Sequence, residues 1–110
     1  QCISFLFPNG TGTEWAVDAY SQKQLPMIMK RLGSAAVRRI EVRTGLNLLD
    51  AGAPAYMGGA NIYVKNRRTF DAAWAQHGAE LEAEAARLAS VKPLRLDTVV
   101  YGVDTTHHDA

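Results

Sequence analysis

Few side chains in this sequence are suited to chemistry. His77 is the one histidine that precedes the His107-His108 pair at the end of the chain. It is therefore the best candidate for a general acid or base, because imidazole titrates near neutral pH. It follows Phe70 by seven residues and Trp74 by three, so on a helix it shares their apolar face. There it either moves a proton or sits as a satisfied helix-end histidine before Gly78, near the negative end of a dipole. Gln24 falls on the inward face of an earlier helical stretch. A buried amide needs partners, since an unsatisfied polar group costs about 1–3 kcal/mol. Gln24 thus either bonds a neighbouring strand or orients a ligand. Tyr20, Tyr63 and Trp74 join apolar bodies to polar tips, which suits pocket walls as well as plain core. Asn61 shares a strand face with Tyr63 and is either a bulge contact or a further binding residue.

Other polar groups point away from chemistry. Asp104, His107, His108 and Asp109 lie in a polar terminal stretch without fixed ligand geometry, so no metal site is expected there. Cys2 lies in an apolar strand with nothing beside it in sequence to make a thiolate, and a lone cysteine forms no internal disulfide. Arg38-Arg39 and Arg67-Arg68 each split across two faces. With 12 basic and 11 acidic residues the net charge is only +1, so nucleic acid is not an expected partner. Glu80, Glu82 and Glu84 read as a solvated helix surface. Gly10-Thr11-Gly12 lacks the third glycine and the βαβ setting of a dinucleotide fingerprint.

The elements that must position these residues follow from periodicity. Ile3, Phe5 and Phe7 alternate in a first strand, closed by the turn residues from Pro8 to Thr13. Val17, Tyr20, Gln24, Met27, Ile28 and Leu32 share one face of a helix over 15–32, with Thr13 a possible N-cap and Gly33 the C-cap. Pro26 inside it should kink it. Val37–Thr44 is a second strand, with Ile40 and Val42 opposite Arg39, Glu41 and Arg43. Residues 45–56 read as a loop. Residues 58–65 form a third strand whose glycines suggest a bulge or a close approach. Asn66 caps a helix through Phe70, Ala73, Trp74 and His77, ended or bent at Gly78. Helical spacing resumes over 79–89 and stops at Pro93, and residues 94–101 form a fourth strand. The order β-α-β-β-α-β is the ferredoxin-like split unit, an α+β domain over 1–104 with a polar tail over 105–110. At 110 residues, with 47% hydrophobic residues, one core suffices. No apolar run approaches the ~18 residues that span a bilayer, and no signal-peptide pattern opens the chain. A cytoplasmic domain without a membrane partner is expected. Helices on one face leave the other uncovered, so a two-fold homodimer is expected.

The chain also resembles the EthD family, named for a protein encoded alongside ethyl tert-butyl ether degradation. The resemblance rests on Phe7-Pro8-Asn9-Gly10, Asp18-Ala19-Tyr20 with Gln24-Leu25-Pro26, and Arg39-Ile40-Glu41-Val42 followed by Gly45. It continues through Tyr63, Phe70-Asp71-Ala72-Ala73, His77-Gly78-Ala79-Glu80-Leu81 and Lys92-Pro93. It implies a dimeric α+β barrel of two ferredoxin-like protomers. Related barrels include cofactor-free monooxygenases, isomerases, dehydratases and haem enzymes. The family's first helix carries a Tyr-Tyr pair and a His-Met-Pro triplet, which here become Ala19-Tyr20 and Gln24-Leu25-Pro26. Its early aspartate is matched by Ala16. Glutamine hydrogen-bonds but does not exchange a proton near neutral pH.

The resulting expectation is a pocket between helices and sheet that takes a small apolar carbonyl, quinone or lactone-like metabolite. In it Gln24 orients the ligand, Tyr20, Tyr63, Trp74 and Asn61 contribute walls and contacts, and His77 moves a proton without a cofactor. The alternatives are a non-catalytic metabolite-binding or accessory protein of an oxidative pathway, and a haem-dependent oxidoreductase with His77 as axial ligand.

Overall fold

The computed structural model of the chain describes residues 1–9, 14–44 and 55–101. Four strands, β1 (Cys2–Pro8), β2 (Val37–Thr44), β3 (Tyr56–Val64) and β4 (Leu94–Thr98), form one antiparallel sheet in the order β2-β3-β1-β4. Three helical segments, α1 (Val17–Ala19), α2 (Leu25–Leu32) and α3 (Arg67–Leu88), complete the ferredoxin-like unit, with a π-helical turn over Tyr20–Gln24 joining α1 to α2. The loop expected at 45–56 lies outside the described residues up to 54, and Tyr56 already belongs to β3. Thr13, Gly10-Thr11-Gly12 and the tail at 105–110 also lie outside them. Among the described residues, no helix is long and apolar enough to cross a membrane.

Strand alternation divides the sheet into two surfaces. Ile3, Phe5 and Phe7 of β1 and Ala60, Ile62 and Val64 of β3 are buried with Ile28, Leu32, Phe70 and Leu81 of the helices. Register then fixes what lies on the other surface. Cys2 pairs with Tyr63 and Thr98, Ser4 with Asn61 and Leu96, and Leu6 with Gly59 and Leu94. No helix covers that surface among the described residues, and Leu94 and Leu96 stay 49% and 46% exposed.

The first helix departs from expectation in an informative way. It begins at Val17 rather than Trp15, and Ala16 supplies no side-chain cap. Trp15 instead makes an isolated bridge to Ala89, flanked by bonds from Ala16 N to the Leu88 carbonyl (2.8 Å) and from Ser90 N to the Glu14 carbonyl (2.8 Å). Tyr20, Gln24, Ile28 and Leu32 are buried at strict four-residue steps. In a pure α-helix of 3.6 residues per turn, each such step drifts by about 40°. The wider π turn, closed by Leu25 N to the Tyr20 carbonyl, offsets part of that drift and keeps all four side chains inward. It also places Pro26 at the start of α2, where a missing N–H is tolerated. Gly33 ends α2 with φ 86° and bonds back to the Met29 carbonyl at 2.9 Å, as its sequence position implies.

The second helix is unbroken through Gly78. A Cβ there would come within 2.7 Å of the Trp74 indole, so glycine lets that ring lie flat against its own helix. The helix stops at Leu88, five residues before Pro93, because Ala89 turns extended to bridge Trp15. β4 ends at Thr98, earlier than the sequence suggests, since Thr98 already pairs with Cys2 at the start of β1. The glycines of β3 serve both expected purposes. Register shifts between Phe7 and Pro8 opposite this segment, and Gly58, with φ 152°, gives the Trp15 ring its seat. Asn66 caps α3 as expected, its Oδ1 accepting from Thr69 N at 3.0 Å. Asn66→Ala is expected to lower stability by about 1 kcal/mol in urea titration, and no measurable change would mean that the cap bond is idle.

Candidate active site between helices and sheet

A cavity of about 750 Å³ opens between the inner sheet face, the π turn with α2, and the second half of α3. Its apolar wall comes from Phe5, Tyr20, Ile28, Trp74, Leu81 and Ala85, and its rim from Glu82, Lys92 and Arg95. That size suits a small organic ligand. The π turn and α3 bring together three of the side chains singled out from sequence, Tyr20, Gln24 and Trp74.

Gln24 is only 2% exposed. Its Nε2 donates to the Leu81 carbonyl at 2.9 Å, while Oε1 is buried without a partner. The structural bond expected for a buried amide therefore exists, to a helix rather than a strand. Tyr20 is equally buried and packs edge-on to Phe7 (5.6 Å) and Trp15 (5.3 Å). Burial pushes its phenol well above the ordinary tyrosine range, so it stays protonated at neutral pH. Trp74 stacks on Phe5 at 5.5 Å and on Phe70 at 5.9 Å. The Arg95 guanidinium lies 5.6 Å from the Trp74 ring centre. Arg95 is held there by Asp97 (Nε to Oδ1, 3.1 Å), which also accepts from Arg67 at 3.0 Å. The bond from Arg67, then that from Arg95, holds the Asp97 carboxyl below its usual range.

The other expected site residues are elsewhere. Tyr63 and Asn61 lie on the outer sheet face, across β3 from the cavity. Both donate to Glu41 Oε1, at 3.0 and 3.1 Å, and Arg43 Nε joins them at 3.2 Å. The Ser4 hydroxyl donates to Asn61 Oδ1 at 2.6 Å. Side-chain pairing across β2, β3 and β1 thus links five polar groups, Ser4, Asn61, Tyr63, Glu41 and Arg43, into one network. His77 is half-buried on α3 and does not line the cavity. Beside His77, the bond from Arg31 at 3.0 Å holds the Glu80 carboxyl below its usual range. Among the described residues, the cavity wall holds no histidine, cysteine or methionine. His77, the axial ligand named in the haem alternative and the only histidine among the described residues, does not line this cavity.

Sequence reading missed Arg95 and Glu41. Arg95 pairs with Phe5, so strand parity alone turns it to the helix side. The parity of Ile62 and Val64 likewise sends Asn61 and Tyr63 to the opposite face.

The Glu41 network has a pH consequence. The Asn61 bond, followed by those from Tyr63 and Arg43, lowers the Glu41 pKa in the folded chain. A carboxylate with a depressed folded pKa adds stability above its unfolded pKa, and this is lost as pH falls through the folded value. Glu41→Gln is therefore expected to flatten the acid limb of the stability curve below about pH 4.5. An unchanged slope in urea titrations between neutral and acid pH would contradict the network.

The fold and cavity define a ferredoxin-like α+β protein with a helix–sheet pocket. Comparison with solved structures finds an EthD-like protein from Ralstonia eutropha JMP134. Its crystal structure superposes with a TM-score of 0.84 at 25% sequence identity, covering 96% of this chain and 95% of that one. Over nearly its whole length the chain is similar to that EthD-like protein. No family model matches the chain, and no curated protein matches it.

Proposed function

We propose that the chain is an EthD-like small-molecule-binding protein whose ligand occupies the cavity between helices and sheet. The observation that carries this reading is the buried Gln24 amide in the apolar wall, with Tyr20 and Trp74 beside it and the basic residues Lys92 and Arg95 at the rim. An apolar cleft with a few convergent polar groups is the usual form of a ligand site. The ligand class is a small apolar carbonyl, quinone or lactone-like compound, or its hydroxylated form.

Binding without turnover, in the service of an oxidative degradation pathway, is favoured over catalysis. Gln24 holds the wall position at which the resembling family has a histidine, and His77 stands off the cavity. An isomerase, lyase or cofactor-free oxidoreductase reading needs a proton carrier, and among the described residues the cavity offers Tyr20, Glu82 and Lys92 for that role. We further propose that two copies pack their outer sheet faces together as a homodimer. The exposed Leu94 and Leu96 support this.

A thermal-shift screen of apolar carbonyls, quinones, lactones and phenols tests the binding reading. Stabilising compounds are expected to lose their effect in Ala86→Trp. Ala86 is exposed on α3 and lines the cavity, so a bulky ring there blocks the entrance while the helix tolerates it. Equal stabilisation of wild type and variant would place the ligand elsewhere. Hits are then assayed for turnover, and turnover lost in His77→Gln would restore the catalytic reading.

A further inference from the structure

The cavity wall has an unmatched hydrogen-bonding valence. Gln24 uses Nε2 on the Leu81 carbonyl, and its Oε1 has no partner although it is buried. The orientation of this amide is not arbitrary. Turning it over would set Oε1 against the Leu81 carbonyl oxygen, acceptor against acceptor. Beside the second Nε2 hydrogen, the one atom of Gln24 left with no partner at all is therefore an acceptor. A carbonyl, quinone or ether oxygen cannot satisfy it, and a hydroxyl can.

The surroundings restrict the ligand further. Trp74 presents an indole held in a stack, with interplanar angles of 27° to Phe5 and 12° to Phe70. Gly78 lets that indole lie flat against α3. A rigid aromatic wall of this kind favours a planar partner. Resting on the reading of the cavity as the ligand site, we propose that it selects a planar, largely apolar molecule bearing a hydroxyl donor, a phenol or an enol, which donates to Gln24 Oε1 while its ring packs beside Trp74. Within the carbonyl and quinone classes, this singles out the enol tautomer, the hydroquinone or a hydroxylated ring. A site that leaves a buried polar group unpaired rejects the analogue lacking the matching group.

Two probes of the same ring size separate the possibilities. 2-Naphthol has the donor, and 2-methoxynaphthalene keeps the ring and the oxygen but not the hydrogen. Calorimetric titration of wild type is expected to show 2-naphthol bound at least about tenfold more tightly. In Gln24→Met, which keeps side-chain length and removes the amide, the ratio should fall to about twofold or less. If that variant does not fold, the wild-type ratio alone decides. Equal affinities in wild type, both abolished by Ala86→Trp, overturn the donor preference and leave the cavity as the ligand site. A naphthol preference that persists in folded Gln24→Met shows that another acceptor reads the hydroxyl and overturns the assignment to Gln24. Affinities that Ala86→Trp does not reduce, or no binding of either probe, overturn the proposal, and the former removes the cavity reading as well.

Discussion

Phe7→Ala is expected to cost the fold about 3–5 kcal/mol, a large share of the total for a domain of this size. Phe7 is fully buried on β1. It stacks on Trp15 with ring centres 4.4 Å apart and meets Tyr20 edge-on. The neighbours cannot close the resulting void easily. Trp15 is tied by backbone pairing to the end of α3, and Tyr20 begins the π turn. The loss should therefore be near the upper part of the range for a truncated phenylalanine. Urea unfolding followed by Trp fluorescence measures it. A loss below about 1 kcal/mol would mean that the Phe7–Trp15–Tyr20 cluster is not packed as described. The same substitution also loosens Tyr20, so ligand affinity should weaken beyond what the lost stability alone explains.

The second large effect concerns assembly. On the homodimer reading, wild type sediments at about 24 kDa, twice the 12.0 kDa chain, at micromolar concentration. Leu96→Glu is expected to shift it to the monomer. Leu96 lies opposite Ser4 on the outer sheet face and is half-exposed in the single chain. A glutamate there is solvated in a monomer, but in a two-fold interface it is buried in both copies without a partner. Interfaces of this kind typically bury ~2,000 Å² or more, and an unpaired buried charge is among the costliest defects they can carry. A wild-type chain that stays monomeric across this range would remove the dimer. A Leu96→Glu chain that stays dimeric would place the interface elsewhere.

Much of the fold was legible because the apolar periods are clean. The alternation of Ile3, Phe5 and Phe7 and of Ile40 and Val42 set strand faces, and Asn66 and Gly33 marked helix ends through their own cap chemistry. The rest depended on partners distant in sequence. No local signal tells that Ala89 leaves the helix to bridge Trp15, or that β4 ends where β1 runs out of residues to pair. Gly78 looked like a helix breaker, yet it serves the ring of Trp74 one turn earlier. The π turn over Tyr20–Gln24 was not legible, because the spacing of Tyr20, Gln24, Ile28 and Leu32 reads equally as one face of an α-helix kinked at Pro26.

The site was legible only in part, for related reasons. Helical phase brought Tyr20, Gln24 and Trp74 to one cavity. Strand phase, applied to Asn61 and Tyr63, sends them to the other side of the sheet from Ile62 and Val64, where Glu41 gathers them. His77 shares a helical stripe with Trp74 and Leu81, but a stripe is wider than a cavity, and His77 falls outside the wall.

The most direct test of the ligand site is to map a bound aromatic ligand by NMR chemical-shift changes. With 2-naphthol or the best compound from the thermal screen, shifts should concentrate on Tyr20, Gln24, Trp74, Leu81 and Ala85, between the helices and the inner sheet face. Shifts centred on Ser4, Glu41, Asn61 and Tyr63, with the helix side silent, would contradict the account.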